Sequence, residues 1–374
     1  MRRLLYVVAI SVVLAFVMFG CNRSDKSSGN VLIGIAMPES HVLRWVKDGN
    51  ALKDEVERRG YRAELQFADA NQAIQNRQIQ SFLTLGAKLL IVGSISEEAA
   101  PAIAAAAEEN VAVIAYDRLI HNSDAYDYYI TFNNFKVGEL KGQALVQGLN
   151  LNEVTADAPK LITLFAGAPT DGNAFFFFDG AMSILNPHID RGALKVVGPY
   201  PRTSDDKENF LKISTENWMD TIAAARMARL LATDAADVVL DAVLAPNDVV
   251  SRAITEVLRA HPKYQEKLPL ITGQDAEFHS MLSIKDGIQF CTVFKNTTKL
   301  AEAAVILADQ ILKGQPINIP GAILATGNLA KLGDTGLKTV KAYLLDPVLI
   351  TRDNLLVPVD AGFYTEAESA ALRD

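Results

Sequence analysis

Short β-branched runs alternate along this chain with longer segments of helical periodicity, and that alternation restricts the fold to parallel sheets covered by helices. Val31-Leu32-Ile33-Gly34-Ile35-Ala36 reads as a buried strand. Val42, Trp45, Val46, Leu52 and Val56 then recur mostly at three- and four-residue steps with charges between them, which predicts an amphipathic helix ending at Gly60. Further units follow: strand 61–68, helix 71–85, strand 88–92, an alanine-rich helix 96–109 and strand 111–116. A second series begins past Asn134, with strands near 161–165, 194–197, 242–244, 268–272 and 289–293. Two α/β halves are implied, and 374 residues that are 49% hydrophobic suffice to give each its own core.

The first thirty residues follow a different pattern. Arg2 and Arg3 precede an uncharged apolar run that stops at Gly20-Cys21 and gives way to Asn22-Arg23-Ser24-Asp25-Lys26-Ser27-Ser28. This is the layout of a secretory signal over 1–20 followed by a flexible linker over 21–30. Leu4 to Gly20 also reaches the lower edge of what spans a bilayer, so a retained anchor is the competing reading. The small residue before a cysteine resembles a bacterial lipobox and implies lipidation of Cys21 and anchoring to the membrane on the extracytoplasmic side, although Met18 and Phe19 depart from the usual pattern. Loss of residues 1–20 takes the formal net charge from −8 to −10, and such an acidic surface repels nucleic acid and anionic lipid. With Cys21 lipidated, Cys291 has no partner for an intrachain disulfide and is expected in the core.

In parallel sheets the loops at the carboxyl ends of the strands face the crevice and carry the ligand site. Those ends are polar here. They supply Arg44 and Trp45, Asp117 and Arg118, Asp171 and Asn173, Asn247 and Asp248, Gln274 and Asp275, and Lys295. A neutral polyol needs such a set, because each hydroxyl both donates and accepts, carboxylates and amides bridge neighbouring hydroxyls, and Arg or Lys donates the remainder. The apolar faces of a pyranose pack on aromatic rings, for which Trp45, Trp218 and Phe175-Phe176-Phe177-Phe178 are candidates. Each residue also has a plain structural reading. Asn247 and Asp248 fit helix N-caps, Arg118 can pair with Asp117, Lys295 can simply precede a capped helix, and most of the four phenylalanines fit a core.

Gly34-Ile35-Ala36-Met37-Pro38, Arg44-Trp45, Asp48-Gly49-Asn50, Ile114-Ala115-Tyr116-Asp117-Arg118, Asn173-Ala174-Phe175-Phe176-Phe177, Gly273-Gln274-Asp275-Ala276-Glu277 and Phe294-Lys295 together resemble the xylose-binding and multiple-monosaccharide-binding proteins of bacterial ABC importers. The resemblance extends from about Val31 nearly to the C-terminus, through Tyr343-Leu344-Leu345-Asp346-Pro347 and Thr351-Arg352-Asp353-Asn354. It implies a type I periplasmic-binding-protein fold, with two Rossmann-like lobes joined by three crossover strands around a ligand cleft. The implied lobes are 31–136 with about 296–331, and 137–295 with about 332–374. Arg44, Trp45, Asp117 and Arg118 would come from the first lobe, Asn173, Trp218, Asn247 and Asp275 from the second, and Lys295 from a hinge, with Asp171 added as a ligand contact from its strand-end position. Two stretches depart from the pattern. Thr215-Glu216-Asn217-Trp218-Met219-Asp220 lacks the Arg usual before the Trp and the Pro usual after it, and Thr170-Asp171-Gly172-Asn173 replaces a more acidic and amidic run.

The implied activity is capture of one aldopyranose and delivery to an ABC permease with its ATPase subunit, without cofactor or catalysis. Glucose or galactose and xylose stand close together as expected ligands, with arabinose behind. A sensor that presents the closed form to a chemoreceptor or sensor kinase is the alternative. An enzyme is disfavoured by the absence of a metal-spaced His cluster, a nucleophile elbow and a phosphate loop, the five His at 41, 121, 188, 261 and 279 being scattered singly. A repressor of similar architecture would need a DNA-binding helical domain where this chain has its signal.

Overall fold

The computed structural model of the protein describes residues 31–374. The expected signal segment 1–20, and Cys21 with its linker over 21–30, lie outside the described residues. β1 (Leu32–Met37), α1 (Leu43–Arg58), β2 (Arg62–Phe67), α2 (Gln72–Thr84), β3 (Leu89–Val92), α3 (Ala100–Glu108), β4 (Ala112–Tyr116) and β5 (Tyr128–Phe132) follow one another, the strands pairing in parallel and a helix joining each to the next except between β4 and β5. β1 and β3 are buried on both faces, and so read as unbroken apolar runs rather than alternating ones.

The chain then crosses into a second lobe. This holds α4 (Asn134–Gly148), β6 (Lys160–Leu164), α5 (Gly172–Asp190), β7 (Leu194–Val196), α6 (Lys207–Ile213), α7 (Asp220–Ala232), β8 (Ala242–Leu244), α8 (Asp248–Ala260), β9 (Leu270–Ile271), α9 (Phe278–Lys285) and β10 (Thr292–Phe294). It returns to the first lobe for α10 (Thr297–Leu312), β11 (Ala322–Leu324) and β12 (Lys341–Leu345), and ends in the second with β13 (Val348–Ile350), α11 (Val357–Asp360) and α12 (Glu366–Arg373). The first sheet runs β11-β12-β5-β4-β3-β1-β2. The second runs β7-β6-β8-β9, and Phe290 N→Ile271 O (3.1 Å) and Val293 N→Gly273 O (3.2 Å) stitch the antiparallel β10–β13 pair onto its edge. Both sheets carry buried apolar clusters on their two faces, so each lobe has its own core. The architecture is the two-lobed α/β fold expected from sequence.

One boundary differs. From sequence the final return to the second lobe was expected near residue 332, but β12 pairs in parallel with β5, Leu345 opposite Phe132, so residues 332–345 belong to the first lobe. The chain crosses at 132–134, 294–297 and 345–348, and Asn133 N→Leu345 O (2.9 Å) ties the first crossing to the third. β11 and β12 escape a pattern reading because β11 spans only three residues, with Ile323 and Leu324 about half exposed at a sheet edge.

α4 and α5 approach almost backbone to backbone. A Cβ on Gly138 would lie 2.1 Å from Phe177 O, and one on Gly180 would lie 2.0 Å from Phe135 O. Only glycine permits this crossing. It matters for function because α4 starts at the first crossing and α5 starts at the cleft.

Candidate ligand-binding cleft

The ten residues singled out as ligand contacts, Arg44, Trp45, Asp117, Arg118, Asp171, Asn173, Trp218, Asn247, Asp275 and Lys295, all line one cavity of about 160 Å³ between the lobes. Glu39, Val42, Phe177, Asn217, Val249, Gln274 and Glu277 complete the wall. The cavity is well below the roughly 300–1,000 Å³ of drug-sized sites.

The charged groups are paired across and within the lobes. Arg44 Nη2 donates to Asp117 Oδ1, and its Nε lies 3.7 Å from Asp48. Lys295 Nζ lies 3.0 Å from Asp275 Oδ1. Arg118 takes Asp171 as its partner, 3.4 Å away in the other lobe, and not the adjacent Asp117. Arg44 and Arg118 both lie over the Trp45 ring, 4.9 and 5.1 Å from its centroid, so this Trp orients two guanidinium groups as well as offering an aromatic wall. Lys295 Nζ lies 5.3 Å from the Phe177 centroid. Phe178 is buried against Phe210, as its core reading required, and half-buried Phe176 packs onto the first lobe's cluster. Phe177 is the member of that run at the cavity, and its place on the cleft-facing turn of α5 is invisible without the helix register.

Capping and lining are not alternatives here. Asn247 Oδ1 accepts from Val250 N (3.0 Å) at the start of α8 while the residue lines the cavity. Asp171 caps α5 through Asn173 N (3.0 Å) and reaches Arg118. Asn173 is the most committed, since its Nδ2 donates to Asp117 O (3.1 Å) in the other lobe and its Oδ1 accepts from Asn134 Nδ2 (2.7 Å). That leaves its second N–H for a ligand. Asp117, Asn217, Trp218 and Asp275 have positive φ (60°, 49°, 59° and 95°), a backbone strain of about 1–3 kcal/mol each that concentrates at functional sites. Gly167 makes room for Trp218, because a Cβ there would fall 2.1 Å from its Cη2. Four of the nine buried side-chain polar atoms without a hydrogen-bond partner, among the described residues, belong to this wall: Arg44 Nε, Arg118 Nε, Gln274 Oε1 and Asp275 Oδ1. Asp275 Oδ1 faces Lys295 as a charge, without hydrogen-bond alignment. Unpaired polar atoms converging on one cavity are what a polar ligand would satisfy.

A family model described as a periplasmic binding protein domain matches residues 33–316. The chain belongs to that family. It is 38% identical to the multiple sugar-binding periplasmic receptor ChvE of Rhizobium radiobacter over 89% of this chain and 90% of the relative. To the D-xylose-binding periplasmic protein of Escherichia coli it is 32% identical, covering 90% of this chain and 92% of that one. Among solved structures, an ABC transporter solute-binding protein of Clostridium phytofermentans with bound β-D-glucose superposes with a TM-score of 0.77 at 35% identity, covering 90% of this chain and 99% of that chain. A carbohydrate transporter solute-binding protein of Chloroflexus aurantiacus in complex with D-glucose gives 0.78 at 32% identity, covering 91% and 98%.

In this binding protein two cleft carboxylates, Asp117 and Asp275, are held toward their charged forms. Burial alone would raise Asp117, but Arg44, Lys295 and Arg118 outweigh it and hold the carboxyl below the ordinary range. Asp275 behaves likewise, with Lys295 and Arg44 offsetting its burial. A carboxyl depressed in the fold contributes stability above its unfolded value and loses it as pH falls through the folded one. The stability difference between wild type and Asp117→Asn, measured by urea titration, is therefore expected to hold above about pH 5 and to shrink as pH falls from about 5 to about 3. A difference that stays constant over that window would contradict the pairing.

Proposed function

We propose that this binding protein encloses one aldopyranose, of the glucose, galactose or xylose type, and hands it to the permease of an ABC importer. The observation that carries the reading is the shared cavity. Five residues of one lobe or its hinge, Arg44, Trp45, Asp117, Arg118 and Lys295, and five of the other, Asp171, Asn173, Trp218, Asn247 and Asp275, meet around a space fit for a single small polar ligand. Relatives about one-third identical hold glucose, and others are named for xylose or for multiple sugars, which supports the sugar class. Because neither lobe presents the full set alone, a ligand gains the full set of contacts only in the closed form and stabilises it over the open one.

A thermal-shift screen of residues 22–374 against a monosaccharide panel tests the reading, since a ligand that binds only the native state raises its melting point. D-glucose, D-galactose and D-xylose are expected to give the largest shifts. If no aldose moves the transition while an unrelated solute does, the reading fails. The protein acts outside the cytoplasm, held to the membrane by a lipid on Cys21. Cys21→Ser is expected to release the processed protein from the membrane fraction, and retention there after signal cleavage would rule out the lipid anchor.

A further inference from the structure

Asp248 lies beneath the cleft, is fully buried, and is absent from the cavity wall. Its two carboxylate oxygens accept four hydrogen bonds. Oδ1 takes Gln274 N (3.1 Å) and Gln289 Nε2 (2.8 Å), and Oδ2 takes Glu277 N (2.9 Å) and Thr292 Oγ1 (3.1 Å). Its own N–H donates to Gln274 O (3.0 Å). The loop so gripped, 274–277, carries three cavity residues, Gln274, Asp275 and Glu277, through the consecutive positive-φ residues Asp275 (95°) and Ala276 (50°). A strained backbone persists only where its surroundings fix it. The two amides that Asp248 holds flank that strained pair on either side. A Cβ on Gly273 would sit 2.0 Å from Asp248 Oδ1, so the carboxylate and the loop leave no slack between them.

We infer that Asp248 is a positioning residue for ligand binding: its ionised carboxylate fixes the 274–277 loop in the one shape that aims Asp275 and Gln274 into the cleft. This rests on the sugar-binding reading above. All four partners donate, so the site suits an acceptor-only group, and a proton on Asp248 displaces at least one of them. Burial and the nearby Glu277 push that carboxyl up to about 7, so it exchanges its proton around neutrality. The other titratable groups near it are Asp275, Lys141, Cys291 and the Tyr364 hydroxyl. Lys141 also lies near 7, brought down by burial and by Lys295, so the test needs a variant that removes Asp248 alone.

Titration calorimetry of wild type and Asp248→Asn, with the aldose giving the largest thermal shift, is the experiment, run between pH 5.5 and 8.5 and well below each protein's melting point. Asp248→Asn is expected to bind about tenfold more weakly or worse at pH 8, from loss of one charge-assisted bond. Wild-type affinity is expected to fall as pH drops through neutrality, and the variant to lack that part of the fall. Should Asp248→Asn fail to fold, Thr292→Val decides, because Thr292 Oγ1 both donates to Asp248 and accepts from Ala276 N (3.2 Å); weaker binding is expected. A folded variant that is merely less stable, but binds as wild type with the same pH profile, overturns the inference. If wild type itself binds no aldose, the function proposed above falls first and takes this inference with it.

Discussion

Asp275→Ala is expected to weaken sugar binding by at least about a hundredfold, combining the loss of a charged hydrogen-bond acceptor with the stranding of a buried cation. Asp275 Oδ1 faces Lys295 Nζ at 3.0 Å, and Lys295 is only 2% exposed. Without the carboxylate, that ammonium is left close to the charges of Arg44 and Lys141, with Asp117 as its remaining acidic neighbour. The cleft would then be both under-supplied with acceptors and too positive for a neutral ligand to complete. Alanine also tolerates the 95° φ at this position poorly, so part of any stability loss would come from backbone strain. Asp275→Asn separates the two effects, because Asn accepts positive φ and keeps the shape while losing the charge. Calorimetry should show weak or no binding in both variants, with the Asn variant melting closer to wild type. Undiminished affinity in both would remove Asp275 from the site.

How much of this was legible in the sequence depended on where each signal was local. β1, β3 and β4 are contiguous apolar runs, and α1 shows its three- and four-residue steps, so the βα succession could be read directly. Strand-end polarity then gathered Arg44, Asp117, Asn247 and Asp275, since every parallel strand of a lobe points its carboxyl end toward one crevice. What failed to show was anything decided by pairing at a distance. The lobe boundary depends on β12 pairing with β5 some two hundred residues earlier, and nothing in Lys341–Leu345 says which sheet receives it. The partner of Arg118 is likewise Asp171 in the other lobe, whereas the chain places Asp117 next to it. Gln274 stands at the same strand end as Asp275, but as a neutral residue it carries no charge signal that sets it apart from a loop amide. Asp248 read as a possible cap, and its four-donor cradle exists only once Gln274, Glu277, Gln289 and Thr292 are folded around it.

The glycines of the α4–α5 crossing show the same non-local logic in energetic form. By helix propensity alone, Gly180→Ala would stabilise α5 by about 1 kcal/mol, because alanine loses less backbone entropy on entering a helix. The packing demands the opposite. A methyl at 180 would meet Phe135 O at 2.0 Å and Glu139 N at 3.0 Å, both backbone atoms of α4, so no rotamer change relieves the clash and the helices must separate. Overpacking of this kind costs about 1–3 kcal/mol or more, and a rigid backbone contact belongs at the upper end, so a net loss of about 2 kcal/mol is expected. Separation also pulls on function. Asn134 on α4 donates to Asn173 on α5 (2.7 Å), and Asn173 reaches across to Asp117 O, so moving the helices apart loosens one of the contacts by which the second lobe meets the first. Gly180→Ala should therefore lower the urea midpoint at unchanged slope and weaken sugar binding together, even though residue 180 lies outside the cavity wall. A midpoint that rises, as propensity alone predicts, would mean that the two helices can part freely.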